Sequence, residues 1–255
     1  MKQKLLYFSI PFLIILLFTV NYFQKQMNLK ISQNAYDNIN LALNKVVEDE
    51  KNKSLALAIG LSKNTILRDS LILNDKKLGY KTLSESVDYL KKYVKKTDIY
   101  SQVLTKDLYV FARSWDEVFS GLPLETYRED LKYLQDTKKP KVEIEVGRLI
   151  SIKASVPIQH KEEIVGTLEI ITRFDVLVDK LRAYNLELIP LMNLDYMESA
   201  YLMTEYPVLN QDYLISNRNY NKGIVARVNN LLPDEFSRLL KKGYRAHVNP
   251  DLKDG

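Results

Sequence analysis

Arg113-Ser114-Trp115-Asp116 holds the only tryptophan of the chain and follows the strand-like run Leu108-Tyr109-Val110-Phe111-Ala112. Residues two apart in a strand share a face, so Arg113 and Trp115 are neighbours if the strand persists that far. A guanidinium beside an indole can grip a carboxylate in bidentate fashion while the ring covers the apolar part of a ligand. Arg128, Arg148 and Lys153 add positive charge from the same stretch. Arg148 follows a glycine at a turn, and Lys153 stands between Ile152 and Ala154, an unusual place for a lysine without a partner. Asp116, Glu129, Asp130 and Glu169 could equally well pair with these cations internally. Both readings, a ligand cleft and an internal ion-pair set, stand at this point.

Other chemistry is poorly supplied. The chain has no cysteine, which removes disulfides, thiolate metal sites and cysteine nucleophiles. It has two histidines, His160 and His247, too few for a multi-histidine metal centre. There is no phosphate-binding loop, dinucleotide fingerprint, nucleophile elbow or zinc-binding histidine pair. Asp49-Glu50, Glu129-Asp130 and Glu162-Glu163 are adjacent carboxylates with nothing to place them as a catalytic dyad. The expectation is a protein that is not an enzyme and takes no cofactor. The net charge is +5, of which Lys2 and Lys4 supply two. No basic stripe with interleaved aromatics accompanies it, so nucleic acid is not an expected partner. The run Lys91-Lys92-Tyr93-Val94-Lys95-Lys96 reads as a solvated helix face.

The elements that position these residues begin with a membrane segment. Leu5–Phe23 is 19 residues without a charge, about 28 Å as a helix and close to the hydrocarbon thickness of a bilayer. Aromatic residues sit near both ends, and no small-residue cleavage site follows. The segment reads as one uncleaved anchor, with residues 1–24 as inner tail and span and the rest of the chain outside the cytoplasm. Residues 24–62 continue as a helix. Ile31, Ala35, Ile39, Ala42 and Val46 recur at spacings of three and four, widened by Leu43, Val47, Leu57 and Leu61. This stripe needs a partner: its own domain, a second copy of the chain, or both. Helices are expected over Ile66–Leu73 and, capped by Ser84, over Ser84–Lys96, with residues 74–79 as a loop.

From Asp98 the pattern turns to strands: Ile99–Leu104, Leu108–Ala112, Val142–Val146, Leu149–Val156 and Ile164–Thr172, with helices over Glu125–Gln135 and Phe174–Tyr184. The expected fold class is α+β, a long leading helix followed by an antiparallel sheet. Expected divisions are 25–97 for the stalk and supporting helices, 98–185 for the sheet domain, and 186–255 for a smaller module. The last contains a strand over Leu186–Met192, a polar, tyrosine-rich stretch and a helix from Leu231 to Gly243.

The sequences FARSWD, GLPLETYREDL, KPKVEIEVGRLISIKASVPI and IVGTLEIITRFDVL, in that order, resemble the Cache sensory domains of bacterial transmembrane receptors, most of all the double-Cache type. The resemblance spans roughly residues 30–245, and 98–184 carry nearly all of its specificity. It implies a PAS-like sheet outside the cytoplasm, on the inner membrane, that binds a small anionic or zwitterionic solute and signals through helices. Carried over by motif position, the ligand-pocket candidates are Arg113, Trp115, Tyr127, Arg128, Arg148 and Lys153. Such receptors usually have a second membrane helix and an output domain. This sequence ends without either, so the expectation is a truncated receptor or one that signals through a separate partner. The alternative is an anchored scaffold or decayed receptor that acts through protein partners and binds no ligand.

Overall fold

A computed structural model of the chain describes residues 2–94, 98–118, 120–124, 128–146, 150–196 and 205–242. The side chains of residues 2–15, Glu129, Val146, Tyr196 and Lys242 lie outside the description. The chain divides into two compact units, Met1–Lys45 and Val46–Gly255. The described residues of the first all belong to α1 (Lys2–Ser62). Its described side chains are largely exposed, Met27, Ile31 and Ile39 among them. Among the described residues no helix is long and apolar enough to cross a membrane. The expected anchor Leu5–Phe23 lies within α1, but its side chains as far as Ile15 fall outside the described residues.

The second unit is built on five antiparallel strands: β1 (Ile99–Thr105), β2 (Val110–Arg113), β3 (Lys141–Val146), β4 (Ile150–His160) and β5 (Glu163–Arg173). They lie in the order β2-β1-β5-β4-β3. The α+β class expected from the sequence, a long helix followed by an antiparallel sheet, is the one observed. Two-residue periodicity sorts this sheet into faces. Val103 stands opposite Ala112 and Leu168, Val156 opposite Leu168, and Ala154 opposite Ile170 and Val142. These form the apolar face. It packs against Ala58 of α1, Leu67 of α2 (Thr65–Ile72) and Leu83 of α3 (Lys76–Tyr93), with Leu55 and Leu61 at the margin. Burying a side chain of this size stabilises by about 1.5–3 kcal/mol, so this face anchors the unit.

Caps decide where the supporting helices begin. The Asn64 side chain accepts from the amide of Leu67 at 3.1 Å, and that of Asp75 from Leu78 at 3.0 Å. Asp75 therefore starts α3 at Lys76, and the loop expected over 74–79 is mostly helix. Ser84 is no cap; its hydroxyl donates to the Lys81 carbonyl inside the helix. Gly166 is required where β5 crosses β1, because a Cβ there would lie 2.4 Å from the Leu104 carbonyl oxygen. The β4–β5 hairpin turns on Lys161 and Glu162, both at positive φ (50° and 69°), the twist that two-residue hairpins favour.

α4 (Glu129–Thr137) crosses from β2 to β3, and α5 (Asp175–Arg182) follows β5. A small antiparallel sheet then forms from β6 (Leu191–Asn193), β7 (Val208–Leu209) and β8 (Tyr213–Ile215), in the order β6-β8-β7. Two helices, α6 (Lys222–Asn229) and α7 (Pro233–Lys242), close it over Leu209, Ile215, Val225 and Phe236. The strand expected at 186–192 is displaced to Leu191–Asn193. The polar, tyrosine-rich stretch, to which the sequence pattern assigns no element, supplies β7, β8 and α6.

Candidate functional site

The opposite face of the five-stranded sheet is polar. One cross-strand row runs Arg113, Gln102, Glu169, Ser155, Lys141, each directly opposite the next. A second runs Tyr100, Ile171, Lys153, Glu143, and a third Arg173, Ser151, Glu145. Because period two places all of these on one side, the polar groups meet without any loop to gather them.

Buried charges need partners, and in this layer they have them. Glu169 is fully buried and accepts from Gln102, from Ser155 at 2.9 Å and from Arg128 at 2.7 Å. Arg128 reaches in from the start of α4. It holds Asp130 through two bonds of 2.8 and 3.0 Å and lies 3.1 Å from Glu145. Lys153 pairs with Glu145 at 3.2 Å, and Lys141 with Asp130 at 3.5 Å. Three carboxylates thus face three cations. Burial alone would raise the Asp130 pKa, but the hydrogen bonds and charge of Arg128, helped by Lys141 and Lys153, outweigh it and hold the group at about 2. Burial likewise opposes ionisation of Glu169, and the charges of Arg128 and Lys153 with the Gln102 hydrogen bond bring its pKa below the usual carboxylate range. Burial works against the charge of Arg128, yet Glu169, Glu145 and Asp130 fix it more firmly in place.

The site residues expected from the sequence therefore divide. Arg128 and Lys153 are buried and paired within this network. Arg113 and Trp115 come together, with the guanidinium 5.4 Å from the indole centroid. The strand does not bring them there. β2 ends at Arg113, and a turn follows in which the Asp116 amide bonds the Arg113 carbonyl at 3.3 Å. Ser114 pins the turn to β1 by exchanging bonds with Ser101 at 2.8 and 3.0 Å. Arg113 is buried and its Nε donates to Gln102 at 3.2 Å, whereas Trp115 stays 43% exposed. Tyr127 and Arg148 lie outside the described residues.

Three further residues complete this edge of the face. The Tyr100 ring meets Trp115 edge-on at 5.5 Å, with Arg173 over it at 4.6 Å and Lys91 at 5.0 Å. Burial raises the Tyr100 pKa; Asp98 adds to the rise, while Arg173 and Arg218 oppose it. Sequence parity carried a signal for Tyr100, which lies two residues from Gln102 on β1. Lys91, expected on a solvated helix face, comes from the end of α3 and lies over the Tyr100 ring instead. The cluster offers an open indole edge beside cations, suited to covering an apolar group and orienting an anionic one. Among the described residues no group of acidic or histidine side chains is arranged to hold a metal ion.

No family model matches the chain, and no curated protein matches it. Solved structures similar to it include sensor domains. One is the sensor domain of the histidine kinase DctB of V. cholerae, at 14% identity and a TM-score of 0.46, covering 58% of this chain and 59% of that one. Another is the sensory domain of the Campylobacter jejuni chemoreceptor Tlp3 with isoleucine bound, at 18% identity and a TM-score of 0.43, covering 58% and 61%. The ligand-binding domain of the same chemoreceptor with 4-methylisoleucine is similar at 17% identity and 0.43. The chain spans about six-tenths of the length of the structures it matches.

Proposed function

We propose that the chain is a sensory protein that binds a small anionic or zwitterionic solute at the Arg113–Trp115–Tyr100 edge of the polar sheet face. Residues 5–23 would serve as its single anchor in the inner membrane, holding the sheet domain outside the cytoplasm. Residues 98–185 would form the binding domain and 186–255 a smaller membrane-proximal module. The signal would pass by helix rearrangement to a separate partner or to an output domain beyond this sequence. The exposed stripe of Met27, Ile31 and Ile39 on α1 offers a surface for a second copy of the chain. The observation that carries the reading is the sole tryptophan, half-exposed, with a buried guanidinium against its ring and a second aromatic ring at its edge.

A thermal-shift screen with amino acids and short organic acids tests it, since a solute that binds only the native state raises the melting temperature by mass action. Arg113→Ala should weaken binding of any hit by about tenfold, the loss of one charge-assisted contact. Unchanged affinity by calorimetry would remove Arg113 from the site. A second reading is supported by the network itself: Arg128 and Lys153 already have internal partners, as they would in a scaffold that binds no solute. A screen without hits, together with stable association with another membrane protein, supports that reading.

A further inference from the structure

The end of β5 touches three parts of the second unit within eleven residues. Thr172, on the apolar face, shares a 3.0 Å hydrogen bond with Ser54 of α1. Arg173, on the polar face, lies over the Tyr100 ring beside Trp115. Asp175 opens α5, and its carboxylate accepts from the amides of Arg218 and Asn219 at 3.0 and 3.4 Å, just beyond β8. Lys180 in α5 holds Glu50 of α1, a carboxylate with no exposure that Lys53 of the same helix also pairs at 3.2 Å. Arg182 finishes the segment with a salt bridge to Glu187 and a 2.7 Å bond to the Asn219 carbonyl. Residues 172–182 are therefore held at once by the candidate site, by the long helix and by the small sheet.

One feature of this seating is unsatisfied. Asn217 is fully buried, and among the described residues neither the nitrogen nor the oxygen of its side-chain amide has a partner. It directly precedes Arg218, whose amide sits on Asp175. A buried amide without partners is costly, so an arrangement of this seam that pairs it gains stability on that account. Signalling requires two arrangements that a ligand can distinguish.

We infer that residues 172–182 are the lever that couples the Trp115 edge to α1, with Lys180–Glu50 as the grip on the helix and a second seating in which Asn217 finds partners. The inference rests on the reading of that edge as a ligand site, but its test needs no ligand. Trp115 is the sole tryptophan, so its emission reports on the site alone, and the chain lacks cysteine, so labels can be placed singly. The full chain in detergent micelles is compared with Lys180→Met and Lys53→Met. Each removes one cation from Glu50, but only Lys180 comes from α5. Lys180→Met should shift the Trp115 emission maximum and change its quenching by acrylamide, while Lys53→Met leaves both as in wild type. Arg173→Ala should shift the distance distribution between nitroxides placed at positions 51 and 179.

An emission unchanged by Lys180→Met, or changed equally by Lys53→Met, overturns the lever. If Lys180→Met fails to fold by circular dichroism, Thr172→Val carries the same expectation and the same refutation. A solute screen without hits would defeat the binding reading and leave these couplings in place. A confirmed solute with no emission response to Lys180→Met or Thr172→Val would defeat the lever alone.

Discussion

Arg128→Ala separates a structural cation from a ligand-binding one. In wild type the guanidinium touches Asp130, Glu145 and Glu169, and all four side chains have at most 9% of their surface exposed. Removing one partner of a buried ion pair leaves charge without compensation and costs about 3–5 kcal/mol. Here Lys153 remains for Glu145 and Lys141 for Asp130, and Glu169 would keep its hydrogen bonds from Gln102 and Ser155 and the more distant charge of Lys153 but lose its ion pair. The lower end, about 3 kcal/mol, is therefore expected. For a unit of this size each kcal/mol moves the melting temperature by about 2–4 °C, so the variant should melt about 6–12 °C below wild type at pH 7. The loss should shrink towards pH 3, where Glu169 in the variant takes up a proton and no longer needs the guanidinium. Melts followed by circular dichroism at both pH values measure this. A variant that melts within about one degree of wild type at pH 7, with ligand binding abolished, would refute the structural assignment and return Arg128 to the ligand.

Two further perturbations read the same layer and the sheet that carries it. Asp130 and Glu169 both have folded-state pKa values below their unfolded ones, so their contribution is complete above the unfolded value of about 4 and is lost as pH falls from there towards 2; urea midpoints should hold steady from pH 7 to 5 and drop below 4, and a flat profile to pH 2.5 would contradict the ion-pair assignment. Gly166→Ala places a methyl 2.4 Å from the Leu104 carbonyl oxygen and 2.9 Å from a Leu71 methyl carbon; overpacking against a paired strand should cost about 1–3 kcal/mol in chemical denaturation, and a neutral result would mean that β1 and β5 cross less closely than described.

The polar face was written into the sequence as alternation. In β5, Thr167, Glu169, Ile171 and Arg173 share one side, and Leu168, Ile170 and Thr172 the other. Lys153 between Ile152 and Ala154 already implied a charged partner across the strands. That partner, Glu145, was not legible, because it enters through the β3–β4 register, a long-range fact; Asp130 and Glu169, two of the carboxylates the sequence offered to these cations, do hold Arg128. The Arg113–Trp115 pairing was reached by strand alternation, yet the molecule makes it with a turn tied to Ser101, twelve or more residues away. The start of α3 was misplaced because Gly79 and the polar residues around it read as loop, while Asp75 caps a helix across them. β7 and β8, of two and three residues, are too short for a two-residue period to register.

The partners each cation already holds decide which of them an anionic solute can claim. Arg128 lies in a buried layer, held by three carboxylates, where exchanging Glu169 for a ligand carboxylate would strand a buried charge. Arg173 stands at the rim, 3.6 Å from Asp98, with side chains 23% and 35% exposed. Such pairs are worth about 0–1 kcal/mol, so a solute carboxylate can displace Asp98 at little cost while its apolar part covers Trp115. Asp98 is then a competitor for Arg173. Asp98→Asn keeps an acceptor beside Tyr100 but removes the charge, and should tighten binding of a carboxylate found in the screen by up to about fivefold, the equivalent of 1 kcal/mol, while a neutral analogue gains nothing. Calorimetry on the pair of solutes measures the difference. Equal gains for both, or weaker binding of the carboxylate alone, would place the solute's negative charge away from Arg173.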